Sequence, residues 1–214
     1  MYGHLFIFAN STLQIATQRV ESTWTWYVIR AAGFVAAGLL ILLVISGIGM
    51  VTGYTYRFFQ PAKAWIIHRA LALSLAFSVL VHGTFLLLDH FISFNLVQIL
   101  VPFVSNYKKS KLLGIPVGSL SVALGILATY AIAIVILSSL GWIDSRKKTW
   151  KRLHYLNYFI IFAIFFHALY TGSDLAYGIF RKAWIFMGVL LLVLIIVRLW
   201  RAGTIRRRPT DLGT

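Results

Sequence analysis

The sequence contains no cysteine. That excludes disulfides, thiolate-ligated iron–sulfur clusters and covalent cofactor attachment through a C-x-x-C-H motif. Acidic residues are almost as scarce: Glu21, Asp89, Asp144, Asp174 and Asp211 are the full set, and none lies inside a long apolar run. A carboxylate-rich metal centre therefore has too few ligands. Charged residues of both signs make up only 12% of the chain, and mean hydropathy is +0.85. A soluble domain of 214 residues needs more polar surface than this, so the bilayer is the expected solvent. The amino-terminal apolar stretch, Leu5 to Ala9, is too short for a signal peptide and no charged region precedes it. Internal repeats and low-complexity segments are absent.

Apolar runs are abundant. Five of them reach, or nearly reach, the roughly 20 helical residues that cross a bilayer core. They extend from about Tyr27 to Val51, Ala64 to Leu88, Ile115 to Leu140, Leu153 to Tyr170 and Ala183 to Trp200. None shows two-residue alternation, and a barrel needs many more segments, so the expected fold is all-α: an integral membrane bundle of about five transmembrane helices plus an amino-terminal segment. The expected division is 1–26 as an extracytoplasmic or interfacial segment, 27–200 as the transmembrane domain and 201–214 as a basic tail. Ser11 to Val20 is a candidate surface helix. The longest connection, Asp89 to Gly114, is amphipathic and ends with Lys108, Lys109 and Lys111, which suits an interfacial segment.

The net charge of +15 sits in short segments between the runs and in the tail. This is the pattern of membrane-flanking loops rather than the continuous basic stripe of a nucleic-acid surface, so no nucleic-acid partner is expected. With five spans, thirteen Lys/Arg fall on one side, including Arg57, Arg69 and the turn Arg146, Lys147, Lys148, Lys151 and Arg152; seven, including Arg30, fall on the other. The positive-inside rule then places the N-terminus outside and the C-terminus in the cytoplasm, as in the plasma membrane of a cell or the inner membrane of a bacterium.

Four of the six histidines lie in two matched pairs, His68 and His82 on the second run and His154 and His167 on the fourth. These helices run in the same direction, with spacings of 14 and 13 residues. At about 1.5 Å per residue the members of each helix stand roughly 20 Å apart, so His68 lies level with His154 and His82 with His167. Two histidines of one helix cannot share an ion, because imidazole binds metal at about 2 Å. Each rung offers two nitrogen ligands and few acids to complete a zinc or di-iron site. A porphyrin brings four nitrogens and needs only axial ligands, so two b-type haems are the expected cofactors. One feature fits imperfectly: thirteen residues of ideal helix leave His154 and His167 about 140° apart, whereas fourteen bring His68 and His82 to within about 40°.

Ala70, Ala72, Ala76 and Gly83 would let a flat ring approach the second helix, and Phe77, Phe159, Phe162, Phe165 and Phe166 would pack on or between the rings or face lipid. Arg57, Arg69, Lys151 and Arg152 are candidate partners for the propionates of the inner haem, and Arg30 for those of the outer one; each equally fits an ordinary topology signal. His90, after Asp89, is either an exposed loop residue or part of an acceptor or metal site. His4 has no assigned place.

The stretches "HRALALSLAFSVLVH" at 68–82 and "WKRLHYLNYFIIFAIFFH" at 150–167 resemble the ferric reductase-like transmembrane domain superfamily. That group includes NADPH oxidases, yeast ferric reductases and the haem-binding membrane subunit of bacterial methionine sulfoxide reductase. The resemblance covers roughly Tyr27 to Trp200 and implies axial ligation of an inner haem by His68 and His154 and of an outer haem by His82 and His167. It implies an electron-transfer component of an oxidoreductase, moving electrons across the bilayer from a cytoplasmic-side donor. Two departures stand out. About 14 residues follow Trp200 and no G-x-G-x-x-G follows a strand, so no flavin or nicotinamide site is expected in this chain. Leu86 occupies a position where many oxidases carry a further histidine, which weakens a case for superoxide production. The expected donor is a separate flavoprotein reductase or quinol, and the acceptor an extracytoplasmic protein, a ferric chelate or quinone. The alternative from a different class is a haem-free membrane scaffold or transport subunit with structural histidines; a visible spectrum separates the two.

Overall fold

The computed structural model describes residues 2–90, 93–108 and 110–206, with side chains described between Trp24 and Trp200. Its helices are α1 (Tyr2–Val51), α2 (Pro61–Leu88), α3 (Leu96–Leu100), α4 (Gly118–Gly141), α5 (Lys147–His154), α6 (Leu156–Thr171) and α7 (Gly178–Arg206). Five segments are long and apolar enough to cross a membrane: Trp24–Val51, Pro61–Leu88, Gly118–Gly141, Lys147–Thr171 and Gly178–Trp200. The protein is thus an all-α, multi-pass membrane bundle. Large side chains on its outer surface are apolar, among them Phe77, Leu80, Leu137 and Phe186, as lipid-facing positions require.

Local sequence explains the ends of these helices. Gly53 stops α1 in the left-handed conformation with φ 77°, where a side chain would be strained. Pro61 opens α2 at a position whose N–H has no helical partner anyway, and Gln60 before it is extended. Helix α3 carries a reciprocal capping box: Asn95 accepts from the Gln98 N–H while the Gln98 side chain accepts from the Asn95 N–H.

Two span boundaries differ from the sequence reading, and the first span is continuous with the helix before it. Residues 2–26 are not set off by a break; α1 runs through them, consistent with the absence of proline and glycine from 4 to 32. Side chains in the candidate surface helix Ser11 to Val20, like that of His4, lie outside the described ones. Ile115 belongs not to the third span but to a small antiparallel hairpin, β1 (Lys111–Leu112) with β2 (Ile115–Pro116). Leu113 and Gly114 turn it with φ of 51° and 85°. Positive φ at both central positions is the geometry of a tight two-residue hairpin turn. The fourth span is two helices, α5 and α6, joined at Tyr155.

Helix α1 packs along α2, and α4 packs along α6; direct contacts between these two pairs are few. They meet in an apolar cluster of Leu40, Leu75, Ala131, Ile132, Val135 and Ile160 at mid-height. Leu75 lies midway between His68 and His82, and Ile160 between His154 and His167, so this cluster separates two levels of the bundle.

Candidate functional site

The four span histidines come together as the sequence spacing requires. His68 and His154 face each other with ring centres 6.5 Å apart, and His82 and His167 with ring centres 6.4 Å apart. The planes of the rings cross at 46° in the first pair and 86° in the second. The fourth span is interrupted at Tyr155, between His154 and His167, so the 140° expected for one ideal helix does not carry across it. There the Tyr155 N–H bonds to the Arg152 carbonyl and the Tyr158 N–H to the Tyr155 carbonyl, at 3.2 and 3.1 Å. These are three-residue turns, and each residue wound that way rotates the chain by about 120° instead of 100°.

The histidines on α2 and α6 are oriented by the helix packed behind each. His82 Nδ1 donates to the Ile29 carbonyl of α1 at 2.9 Å, and His167 Nδ1 donates to the Ser121 carbonyl of α4 at 2.9 Å. A carbonyl can only accept, so both nitrogens carry the proton. In each case a glycine stands four residues after the carbonyl, Gly33 and Gly125, and the imidazole edge lies over it. A methyl group on Gly125 would sit 2.5 Å from His167 Nδ1, closer than packing allows. On Gly33 it would meet His82 at an ordinary 3.5 Å. His68 Nδ1 lies 2.8 Å from Ser46 Oγ, whose own hydrogen goes to the Leu43 carbonyl at 2.9 Å. Ser46 therefore accepts from His68. In all three residues Nδ1 is the donor, and Nε2 keeps its lone pair, the form that binds a metal.

His154 is held differently. Its Nδ1 is buried and has no hydrogen-bond partner. Trp150, one turn earlier on α5, packs against the imidazole with ring centres 5.2 Å apart, and Trp150 Nε1 donates to Ser139 Oγ of α4 at 3.0 Å.

Two imidazoles bound to opposite sides of one metal, each at about 2 Å, have ring centres roughly 6.3 Å apart. Both pairs meet that spacing. Among the described residues no group of three or more His, Asp or Glu gathers to hold an ion. Each pair therefore suits a metal whose remaining ligands are supplied by a macrocycle. A cavity of about 1140 Å³ lies between the helix pairs and takes in His82 and His167. That is large enough for a cofactor, since pockets for small molecules span about 300–1000 Å³. Of the small residues named on α2, Ala76 and Gly83 line it, together with Ile126, Ile132 and Ile164, whereas Ala70 and Ala72 do not. The connection between α2 and α4 contributes Phe94, Gln98, Tyr107 and Lys111 to its mouth. Burial pushes the Tyr107 phenol above its ordinary pKa.

The other predicted residues fall in varied places. Arg30 lines the cavity but is engaged by Asp174: its Nε donates to one carboxylate oxygen at 2.7 Å and its terminal nitrogen to the other, while the guanidinium lies over Trp26. Arg57 and Arg69 are exposed and lie over Tyr54 and Trp65 of their own segments. Lys151, Arg152 and His90 are exposed. Phe77 and Phe162 face outward, whereas Phe165 stacks on Trp184 of α7 with ring centres 5.9 Å apart. The sequence reading missed Ser46, Gly125, Trp150, Asp174 and the contact of Arg198 with Tyr158. Only Gly125 carried a signal, as an isolated glycine inside a helical apolar run.

A protein-family model described as the ferric reductase like transmembrane component matches residues 59–165, half of the chain. His68, His82 and His154 lie inside the matched stretch, and His167 lies two residues past its end. No curated protein and no solved structure matches.

Proposed function

This chain belongs to the ferric reductase-like transmembrane components, and from that premise we propose that it holds two b-type haems and carries electrons between the two faces of its membrane. The carrying observation is the pair of facing histidine couples, spaced 6.5 and 6.4 Å, at two levels between loosely joined helix pairs. His68 and His154 would ligate the haem nearer the basic face, and His82 and His167 the haem at the opposite face. Bound haem iron supplies one-electron chemistry, cycling between ferric and ferrous states.

The residues of the chain do the rest. Ile29, Ser46 and Ser121 fix three imidazoles so that Nε2 is the binding nitrogen. The apolar Leu40, Leu75 and Ile160 cluster stands between the levels. The excess of Lys/Arg on the side of Arg57 and of the α5 turn supports a cytoplasmic C-terminus and an outside N-terminus, in a plasma membrane such as a bacterial inner membrane. Electrons would enter at His68 and His154 from a separate flavoprotein reductase or quinol. They would leave at His82 and His167 to an extracytoplasmic protein, ferric chelate or quinone. The purified protein is expected to contain about two non-covalent b haems per chain by pyridine haemochrome assay. His68→Ala and His154→Ala should each remove one haem, and the double variant should remove no more, because one iron needs both. Saturation at one haem per chain, or additive losses from His68 and His154, contradicts the reading.

A further inference from the structure

Arg198 lies on α7, two residues before the apolar span Gly178–Trp200 ends. It is half-buried, and its guanidinium turns to the Tyr158 hydroxyl and lies over the Tyr158 ring. Tyr158 follows His154 by four residues, about one helical turn. Arginine near a span end usually extends toward the headgroups. This one extends to a phenol beside a histidine couple. Among the described residues it has no carboxylate partner; the single ion pair described is Arg30 with Asp174, at the opposite end of the bundle. A cation held inside a low-dielectric bundle is costly unless an anion meets it.

We propose that Arg198, with the Tyr158 hydroxyl, is a carboxylate-binding site at the His68/His154 couple, and that it takes the propionate edge of the cofactor held there. This rests on the di-haem reading and assigns to α7 a role that sequence spacing gave to Arg57, Arg69, Lys151 and Arg152. Those four side chains are exposed, and Arg57 and Arg69 rest on aromatic rings of their own segments. The two ends of the bundle then differ. Arg30 is neutralised by a carboxylate of the chain, Asp174, whereas Arg198 has no such partner among the described residues and sets its positive charge against the propionate at its couple. Such a charge favours the ferrous over the ferric state, because reduction lowers the positive charge beside it.

The test is an optical redox titration of the purified holoprotein in detergent, compared with Arg198→Gln, Arg198→Lys and Tyr158→Phe. The His154→Ala variant identifies which transition belongs to the His68/His154 haem. Arg198→Gln is expected to move that transition to more negative potential and leave the other in place. Arg198→Lys should restore most of the position, since it keeps the charge. Transfer of one haem per chain to excess apomyoglobin should be about tenfold faster in Arg198→Gln, from loss of a charge-assisted hydrogen bond. Two unshifted transitions, or equal shifts in both, overturn the site while leaving the di-haem reading intact. A wild-type protein without two transitions instead sinks that reading. The anion could come from lipid phosphate rather than from the cofactor. In that case the effect of Arg198→Gln would appear in phosphatidylglycerol vesicles and vanish in detergent and in phosphatidylcholine vesicles, which also overturns the assignment. If Arg198→Gln does not accumulate, Tyr158→Phe and Arg198→Lys still report: unchanged potential and unchanged haem transfer in both count against the site.

Discussion

Gly33 and Gly125 occupy equivalent places, each beneath an imidazole that reaches a carbonyl one turn earlier, but they differ in clearance. A methyl group at Gly125 would meet three atoms of the His167 ring between 2.5 and 3.0 Å, whereas at Gly33 the nearest atoms of His82 lie at 3.5 Å. Gly125→Ala must push the His167 ring away and break its hydrogen bond to Ser121. Haem content is expected to fall from about two to about one per chain, while Gly33→Ala keeps both haems. Haem quantification and the optical spectrum of each variant check this. If both variants keep two haems, the clearance at Gly125 does not position the ligand. The contrast also shows what was legible at this scale. The four histidines could be read from the sequence because ionisable side chains are expensive inside a span and their intervals fix their depths. Ser46, Trp150 and Arg198 could not, because their roles depend on which helix lies behind which ligand. The serine that orients His68 is 22 positions away, and the carbonyl that orients His82 is 53 away.

The apolar runs announced all five spans, since bilayer thickness sets their length. Their ends were less clear, because hydropathy does not register the backbone. The hairpin at Lys111–Pro116 and the joint at Tyr155 are events of φ and ψ inside apolar or amphipathic sequence. The joint carries no proline or glycine, yet it interrupts the fourth span between His154 and His167, both of which face histidines of α2. At the other end of the bundle, α1 and α7 touch little, and the Arg30–Asp174 pair ties α1 to the turn just before α7. The side chains are 30% and 20% exposed, so the pair is partly shielded from water. Breaking it is expected to cost about 1–3 kcal/mol, more than a surface pair. Arg30→Gln and Asp174→Asn should each lower the temperature at which the holoprotein releases haem. The double variant should be no worse than the more damaging single one, the signature of a shared interaction. Additive losses in a double-mutant cycle would show that the two residues act separately.

The bundle sets α1 with α2 against α4 with the α5–α6 span; α2 supplies His68 and His82, α5 supplies His154 and α6 supplies His167. Its charge is as polarised as its architecture. Arg146, Lys147, Lys148, Lys151 and Arg152 are all exposed on or just before α5, and that helix ends at His154. Trp150 of the same helix lies against the His154 ring. A donor docked on this surface would therefore meet the His68/His154 level over a short distance. Nicotinamide transfers hydride, whereas the proposed chemistry runs on single electrons, and a flavin or quinol ordinarily stands between the two. The sequence shows no G-x-G-x-x-G fingerprint. The purified protein is expected to stay oxidised with NADPH and to be reduced by dithionite. An acidic flavoprotein reductase added with NADPH should reduce it. If α5 docks that donor through charge, the second-order reduction rate should fall about tenfold or more from low to high salt. Replacing Lys147, Lys148 and Lys151 by Gln should lower the low-salt rate and flatten the salt dependence. A basic turn that serves only to orient the chain in the membrane predicts no salt dependence once the protein is inserted. Full-speed reduction of the triple Gln variant at low salt would place the donor elsewhere, and rapid reduction by NADPH alone would place a nucleotide site within the chain itself.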